Sequence, residues 1–285
     1  MSKSIILYNP LANGGQGESS SHRLDAIWSG RELEYRNITE ITDYSAFFAA
    51  LPEDAPVVVC GGDGTLNRFI NATDGIDYKN EIYYFAAGTG NDFLRDISVE
   101  PGSAPIEISK YIKGLPLVTV NGKSYRFLNN VGFGIDGYCT QVGDEMRAKN
   151  VQNINYAGIA IKGLLGGFKP VNATVTVDGV TTSYKKAWLA PTMKGRYYGG
   201  GMMPTPDQDR LSAEKNVSVM LFYGKGKLKT LMVFPSIFQG EHVKHADMVA
   251  VIKGHDIRVV FDRPCPLQID GETIPNVSEY TVKTV

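Results

Sequence analysis

The sequence predicts an α/β domain followed by a mainly-β domain, and three observations carry that expectation. In the first hundred or so residues, short strands apolar on both faces alternate with segments of helical period, the pattern of a parallel sheet covered by helices. From about Leu117 onward, two-residue alternation dominates, and strands are joined by hairpin dipeptides such as Asn121-Gly122 and Asp178-Gly179. A chain of 285 residues is also longer than one core normally needs. Two domains, 1–116 and 117–285, are therefore expected, meeting near Lys113-Gly114-Leu115-Pro116.

Taken in order, Ile5-Ile6-Leu7-Tyr8 reads as a buried strand and the stretch from Gly17 to about Trp28 as a helix. Leu33 to Ile38 alternates like a strand, and Asp43 is placed to cap a helix running to Leu51. Val57 to Cys60 is a second buried strand, followed by a helix from about Thr65 to Asn71 and a strand from Ile82 to Ala86. In the second half the strands are Val118–Val120, Tyr125–Leu128, Ala173–Val177, Thr182–Leu189, Val217–Phe222, Val249–Ile252, Ile257–Phe261 and Tyr280–Val285. Helices are expected near Gly137–Ala148, Ile154–Leu165 and Leu228–Phe238.

Charge and composition exclude several classes. Lysine and arginine number 29 against 30 acids, so no global basic field points to a nucleic-acid partner. Three scattered cysteines, Cys60, Cys139 and Cys265, fit neither a disulfide scaffold nor a CxxC site and suit a reducing cytoplasm. Ile5-Ile6-Leu7 is too short for a signal segment, and Tyr156 to Phe168 is too broken by Lys162 and glycines to span a membrane. Glycine is the outlier at 31 residues, above the roughly 7% of ordinary domains.

That glycine concentrates in loops that follow strands. The first is Asn9-Pro10-Leu11-Ala12-Asn13-Gly14-Gly15, whose free backbone N–H groups suit an anion, although a plain βα loop has the same form. The second is Gly61-Gly62-Asp63-Gly64-Thr65-Leu66-Asn67, between a buried strand and a helix. Its glycines admit a polyphosphate close to the backbone, and the helix N-terminus adds a favourable dipole. Asp63 repels a bare phosphate, so it belongs there only if Mg²⁺ bridges it to a nucleotide. The third is Gly88-Thr89-Gly90-Asn91-Asp92-Phe93, again between a strand and a helix. Three such loops on one edge of a parallel sheet point to one crevice.

With these residues in view, the chain resembles the diacylglycerol kinase catalytic-domain family of lipid kinases, which includes bacterial soluble lipid kinases and sphingosine kinases. Further matching segments are Asn129 to Gly134, Gly199-Gly200-Gly201-Met202 with Pro206, Gly240 to His245, and Asp270-Gly271-Glu272, so the resemblance runs from residue 9 to 272. It implies a Rossmann-like, NAD kinase/diacylglycerol kinase-like first domain, an antiparallel β-sandwich second domain with a few helices, and ATP in the cleft between them. ATP and Mg²⁺ are the implied cofactors. Asn9 to Asn13, Thr39, Gly61 to Asn67, Gly88, Thr89 and Asn91 would contact the nucleotide. Asp63 and Asp92 would orient Mg²⁺ or the acceptor, and either Asp270 or Glu272 would take the proton of a lipid hydroxyl.

Two departures from the family stand out. The Asp-Asp-Gly that often follows the proline, where a structural Mg²⁺ sits, is absent from Pro206-Asp207-Gln208-Asp209-Arg210-Leu211-Ser212. The aspartate common in the strand entering the second domain is missing from Leu117-Val118-Thr119-Val120. A kinase acting on soluble NAD and a nucleotide-binding regulator without turnover are the rival readings.

Other motifs read more simply. Gly132-Phe133-Gly134-Ile135-Asp136-Gly137 matches a dinucleotide fingerprint only literally, since it follows a strand of the second half; a strand-to-helix turn is expected. His242 and His245 have no third ligand nearby and are expected to be structural. The expected partner is a lipid met reversibly at a membrane surface, with a homodimer left open and the protein cytoplasmic at the inner face of the membrane. Lys225, Lys227 and Lys229, ahead of an apolar helix through Leu231, Val233 and Phe234, are the candidate docking patch.

Overall fold

The computed structural model describes residues 3–87, 91–149, 151 and 154–284. Two compact units emerge, Met1–Lys113 and Gly114–Val285.

The first unit is built on β1 (Ser4–Tyr8), β2 (Leu33–Asn37), β3 (Val57–Gly61), β4 (Ile82–Ala86) and β5 (Ile106–Glu107). They lie in the order β2-β1-β3-β4-β5, parallel except for the antiparallel edge strand β5. All five residues of β3 are buried, as a valine-rich central strand covered on both faces must be. One face packs Ile6, Val58, Cys60 and Phe85 on Leu24. On the helical side, Phe48 meets Phe47 and Phe69 edge-on at 5.1 and 6.4 Å. Asp43 caps the helix Tyr44–Ala49 by accepting the Ala46 N–H at 3.0 Å.

The helix expected from Gly17 to Trp28 is instead two short helices, Gly17–Ser21 and Leu24–Ile27. Serine hydroxyls explain the break. Ser19 and Ser21 donate to the carbonyls of Gln16 and Glu18 at 3.0 and 2.6 Å, competing with the helical ladder.

The second unit comprises β6 (Leu117–Val120), β7 (Lys123–Arg126), β8 (Asn130–Phe133), β9 (Val171–Val177), β10 (Val180–Ala187), β11 (Thr192–Met193), β12 (Val217–Phe222), β13 (Val249–Gly254), β14 (Asp256–Ile269) and β15 (Glu272–Lys283). The order is β13-β12-β11-β8-β14-β15-β6-β7, with β9 and β10 joined to β14. Among the described residues every pairing in this unit is antiparallel. Asn121-Gly122, Asp178-Gly179 and Asp270-Gly271 all carry positive φ at both positions, the two-residue turn that matches strand twist.

β14 organises the sandwich. Its first half pairs β9 through Ile257–Phe261, and its last residues, Leu267–Ile269, pair β8. Its register against β15 shifts between Val260 and Leu267, where Pro264 and Pro266 withhold their N–H groups. Phe133 stacks on Phe261 at 3.8 Å and meets Tyr280 edge-on at 5.7 Å in the core.

The literal dinucleotide fingerprint is a packing device. Gly134 turns β8 into the helix Ile135–Ala148 with φ +99°. A Cβ on Gly137 would fall 1.9 Å from the Pro266 carbonyl oxygen, so glycine lets this helix lie directly on β14.

Candidate functional site

In the first unit the order β2-β1-β3-β4 makes the chain wind in opposite directions from β1 and β3, so the crevice at their C-terminal ends is the switch point. Asn9 follows β1 and the Gly61–Thr65 loop follows β3. Asn9 Nδ2 donates to Thr65 Oγ1 at 2.8 Å, while Asn9 Oδ1 accepts the Leu11 N–H at 3.0 Å. One side chain thus orders its own loop and ties it to the next.

The third loop joins through Asp63. This residue opens the helix Asp63–Thr73 behind Gly62, and its Oδ2 accepts the Asp92 N–H at 2.9 Å. Asp92 in turn opens the helix Asp92–Asp96, with Asn91 just before it. Thr65, Leu66, Asn67 and Asp92 are buried, whereas Gly62, Asp63, Gly64 and Asn91 are half-buried at the sheet edge. Gly88 and Thr89 lie outside the described residues, so the third loop is known here from Asn91 onward.

The glycines divide their work. The space a side chain on Gly61 would need is filled by Thr65, whose Cβ would be 2.5 Å away. Gly61 therefore seats the threonine that Asn9 holds. Asn13, Gly14 and Gly15 all have positive φ (50°, 64° and 89°), a left-handed run that glycine adopts without strain. Pro10 and Ala12 are half-buried in this loop, and Leu11 is 75% exposed.

Thr39 stands just beyond the end of β2, which pairs with β1 through Asn37 and Tyr8. Its N–H and hydroxyl both donate to Asn37 Oδ1, at 3.0 and 2.8 Å. The sequence did not single out Asn37, yet an Asn two residues before a Thr is the signature of this turn. Gly17 was also missed as a site residue. A Cβ there would fall 1.8 Å from the Asn9 carbonyl oxygen, so the helix after the first loop can close on it only through glycine.

In the second unit the two acids of Asp270-Gly271-Glu272 differ. Asp270 is 8% exposed; Oδ2 accepts the Leu128 N–H at 2.5 Å, and Oδ1 accepts those of Asn129 and Asn130 at 2.8 and 2.9 Å. Glu272 is exposed at the first position of β15. The Gln268 side chain braces the turn by accepting the Gly271 N–H at 2.8 Å.

The segment that Asp270 grips is also gripped by a buried arginine. Arg210 donates to the Leu128 carbonyl at 3.2 Å and to Asn129 Oδ1 at 2.9 Å. Buried Lys194 donates its backbone N–H to the Asn129 carbonyl at 2.8 Å, and burial together with the Arg210 charge holds its ammonium below the ordinary lysine range. Gln208 is spent on Ser218 and the Asn216 carbonyl, at 2.5 and 3.1 Å. The stretch 207–212 keeps two carboxylates, but Asp209 Oδ1 accepts the Leu211 N–H at 2.9 Å and Gln208 stands where the family motif has its second aspartate. No group of three or more His, Cys, Asp or Glu suited to a metal occurs among the described residues. A Mg²⁺ at Asp63 would take most of its oxygens from the phosphates that accompany it.

Two further buried groups lie in this unit. Tyr198 donates to Asp136 Oδ1 at 2.6 Å, and burial pushes the Asp136 carboxyl up to about 7 despite that bond. His242 Nε2 lies 3.0 Å from the Pro204 carbonyl, and burial pulls the imidazole down to about 4. His242 is a core residue here. The helix Lys227–Val233 begins within the lysine run, carrying Lys227 and Lys229, and Val233 and Phe234 are buried. No described helix is long and apolar enough to cross a membrane.

Comparison with known proteins follows this architecture. Residues 3–119 match the model of the diacylglycerol kinase catalytic domain, and residues 129–283 match that of the YegS C-terminal NAD kinase beta sandwich-like domain. The chain is 26% identical to the Bacillus subtilis (strain 168) protein named "Putative lipid kinase YtlR", over 95% of this chain and 94% of that one. It is 25% identical to a diacylglycerol kinase of Mycobacterium tuberculosis (strain ATCC 25618 / H37Rv), over 96% and 93%. A solved diacylglycerol kinase from Bacillus anthracis str. Sterne shares the fold with a TM-score of 0.64 at 17% identity, covering 100% of this chain and 93% of that one. Loops knit at the switch point of the first sheet, a sandwich with its acidic hairpin, and two family models that between them span both units lead to one conclusion: the chain belongs to the diacylglycerol kinase catalytic-domain family, a family of lipid kinases.

Proposed function

We propose that the protein transfers the γ-phosphoryl group of ATP to the hydroxyl of a diacylglycerol-like or sphingoid-like lipid. The observation that carries this reading is the pair of hydrogen bonds, Asn9 to Thr65 and Asp92 to Asp63, that draws three strand-end loops into one anion-receptive edge. Phosphoryl transfer asks mainly for positioning and charge neutralisation, which such an edge supplies.

Asn9 to Asn13 and Gly61 to Asn67 hold the phosphates through backbone N–H groups and the N-terminus of the helix Asp63–Thr73. Thr39, Gly88, Thr89 and Asn91 add nucleotide contacts. Asp63 and Asp92 would hold Mg²⁺, which when bound would neutralise phosphate charge, or would orient the acceptor. Of the two acids in Asp270-Gly271-Glu272, exposed Glu272 takes the hydroxyl proton. Asp270, engaged with three backbone N–H groups, fixes the turn that presents it.

The test is incubation with γ-labelled ATP, a panel of lipid alcohols and NAD, followed by phase extraction. Label in the organic phase is the expected result. Label in NADP would replace the reading with a soluble-substrate kinase, and no transfer at all would leave a nucleotide-binding module.

A further inference from the structure

The helix Tyr156–Lys162 continues into the turn Gly163–Gly167, and that turn packs against the helix Lys227–Val233. Lys227 Nζ donates to the Leu165 carbonyl at 3.0 Å and fixes the contact. Each element carries large apolar side chains four residues apart, and so on one face: Ile161 and Leu165, Leu228 and Met232. These are 43%, 56%, 79% and 71% exposed, in a unit whose other apolar residues are mostly buried. Four exposed apolar side chains gathered on two abutting helical elements mark a surface that meets something apolar.

What surrounds them selects the partner. Lys162, Lys169, Lys227 and Lys229 are exposed alongside, and Lys225 pairs with Asp247 at 3.0 Å. From Val151 to Val177 and from Asn216 to Gly240 the sequence contains no aspartate or glutamate. A second copy of the chain would set lysines against lysines across the patch. An anionic bilayer answers both features, with phosphate headgroups for the ammonium groups and the acyl boundary for the leucine, isoleucine and methionine tips.

We infer that Ile161, Leu165, Leu228 and Met232, rimmed by Lys162, Lys169, Lys227 and Lys229, form a reversible docking face for anionic membrane. This rests on the lipid-kinase reading only for its purpose, which is to bring the enzyme to an acceptor held in the bilayer. The binding itself is independent of catalysis. Lipid tails stay in the bilayer while the protein touches and leaves, because four side-chain tips anchor far more weakly than a spanning helix.

The test is co-sedimentation of the full chain with vesicles of phosphatidylcholine and phosphatidylserine at 7:3, against phosphatidylcholine alone. Wild type should bind the anionic vesicles and release them as salt is raised. Leu228→Glu with Met232→Glu should lose tenfold or more in affinity. Lys227→Gln with Lys229→Gln should lose about thirtyfold, at roughly 1 kcal/mol per lysine. Both variants should keep wild-type turnover on a short-chain, water-soluble lipid alcohol, and the Glu pair should keep wild-type melting temperature. Wild-type failure to bind, or binding unchanged in both variants, overturns the docking face. So does sedimentation velocity showing a wild-type dimer that the Glu variants dissolve while vesicle binding stays equal. Loss of the kinase reading is a separate outcome: no transfer to the soluble alcohol by wild type, with vesicle binding intact.

Discussion

The two units set their charged groups at different depths. In the first, Asp63 is half-buried at the edge of the sheet and accepts the N–H of buried Asp92. In the second, Asp136, Asp270, Lys194, Arg210 and His242 are all less than a tenth exposed, and Glu272 stands exposed at the hairpin. The difference teaches which carboxylates are held for a ligand and which hold the chain. A loop acid on a parallel sheet can be removed without disturbing the strands. A buried acid that satisfies three amides leaves them stranded when it goes.

The sharpest test sets activity against stability at Asp63. Asp63→Ala should lower phosphoryl transfer by roughly a thousandfold or more, the scale on which transition-state charge stabilisation is lost. Its unfolding free energy should fall far less, with the hydrogen bond to the Asp92 N–H contributing about 1 kcal/mol. Wild-type turnover in the variant would erase the distinction between the units.

Next in size is the contrast within the acidic hairpin. Glu272→Gln should reduce kcat by roughly 10²–10⁴ with melting temperature unchanged. Asp270→Ala should cost about 3 kcal/mol of stability or more by leaving the Leu128, Asn129 and Asn130 N–H groups unanswered. Denaturant unfolding beside steady-state kinetics reads both, and equal stability losses in the two variants would break the division of labour.

Buried titratable groups supply a pH test of similar size. Folded Asp136 stays protonated up to about 7 while the unfolded chain ionises it from 3.8, so stability falls as pH rises through that window, by about 4 kcal/mol in all. His242 acts in reverse. The unfolded chain protonates it below 6.5 and the folded one only near 4, so stability falls as pH drops between them, by about 3 kcal/mol. Between pH 4 and 6.5 the two slopes oppose, and Asp136→Asn should unmask the acid-side loss. Unfolding free energies for that variant that track wild type at pH 5 and pH 8 would contradict the burial argument.

The smallest effect belongs to the tie between the first two loops. Asn9→Ala should cost about 1 kcal/mol through the lost bond to Thr65. A double-mutant cycle with Thr65→Val should show coupling of the same order, and additivity would mean that the loops are held by packing alone.

Much of this arrangement was legible in the sequence where one physical signal dominates. β1, β3 and β4 are short apolar runs, and Asn121-Gly122 and Asp178-Gly179 announced their hairpins. β14 was read only as Ile257 to Phe261 because Pro264 and Pro266 suggest an end, whereas the strand tolerates them at its register shifts. β8 was hidden by its glycine and asparagine, and the two-residue β5 and β11 carry no period at all. The site followed the same rule. Loop acids and glycines were visible in order, but the grip of Asp270 on residues 128–130, and of Arg210 on the same stretch, joins positions that no local pattern relates.

That grip has a consequence for how the chain reaches its native state. Asp270 meets Leu128 across 142 residues of sequence, and β6, which opens the second unit, pairs among the described residues with β7 beside it and with β15. Every described strand pairing of the first sheet lies between residues 4 and 107, so that sheet is complete once residue 113 has left the ribosome. The second must hold β6 with one edge open until β15 has been made. During synthesis the first sheet is therefore finished early, while the acidic turn is among the last features to assemble, at the slow pace that distant strand pairings impose.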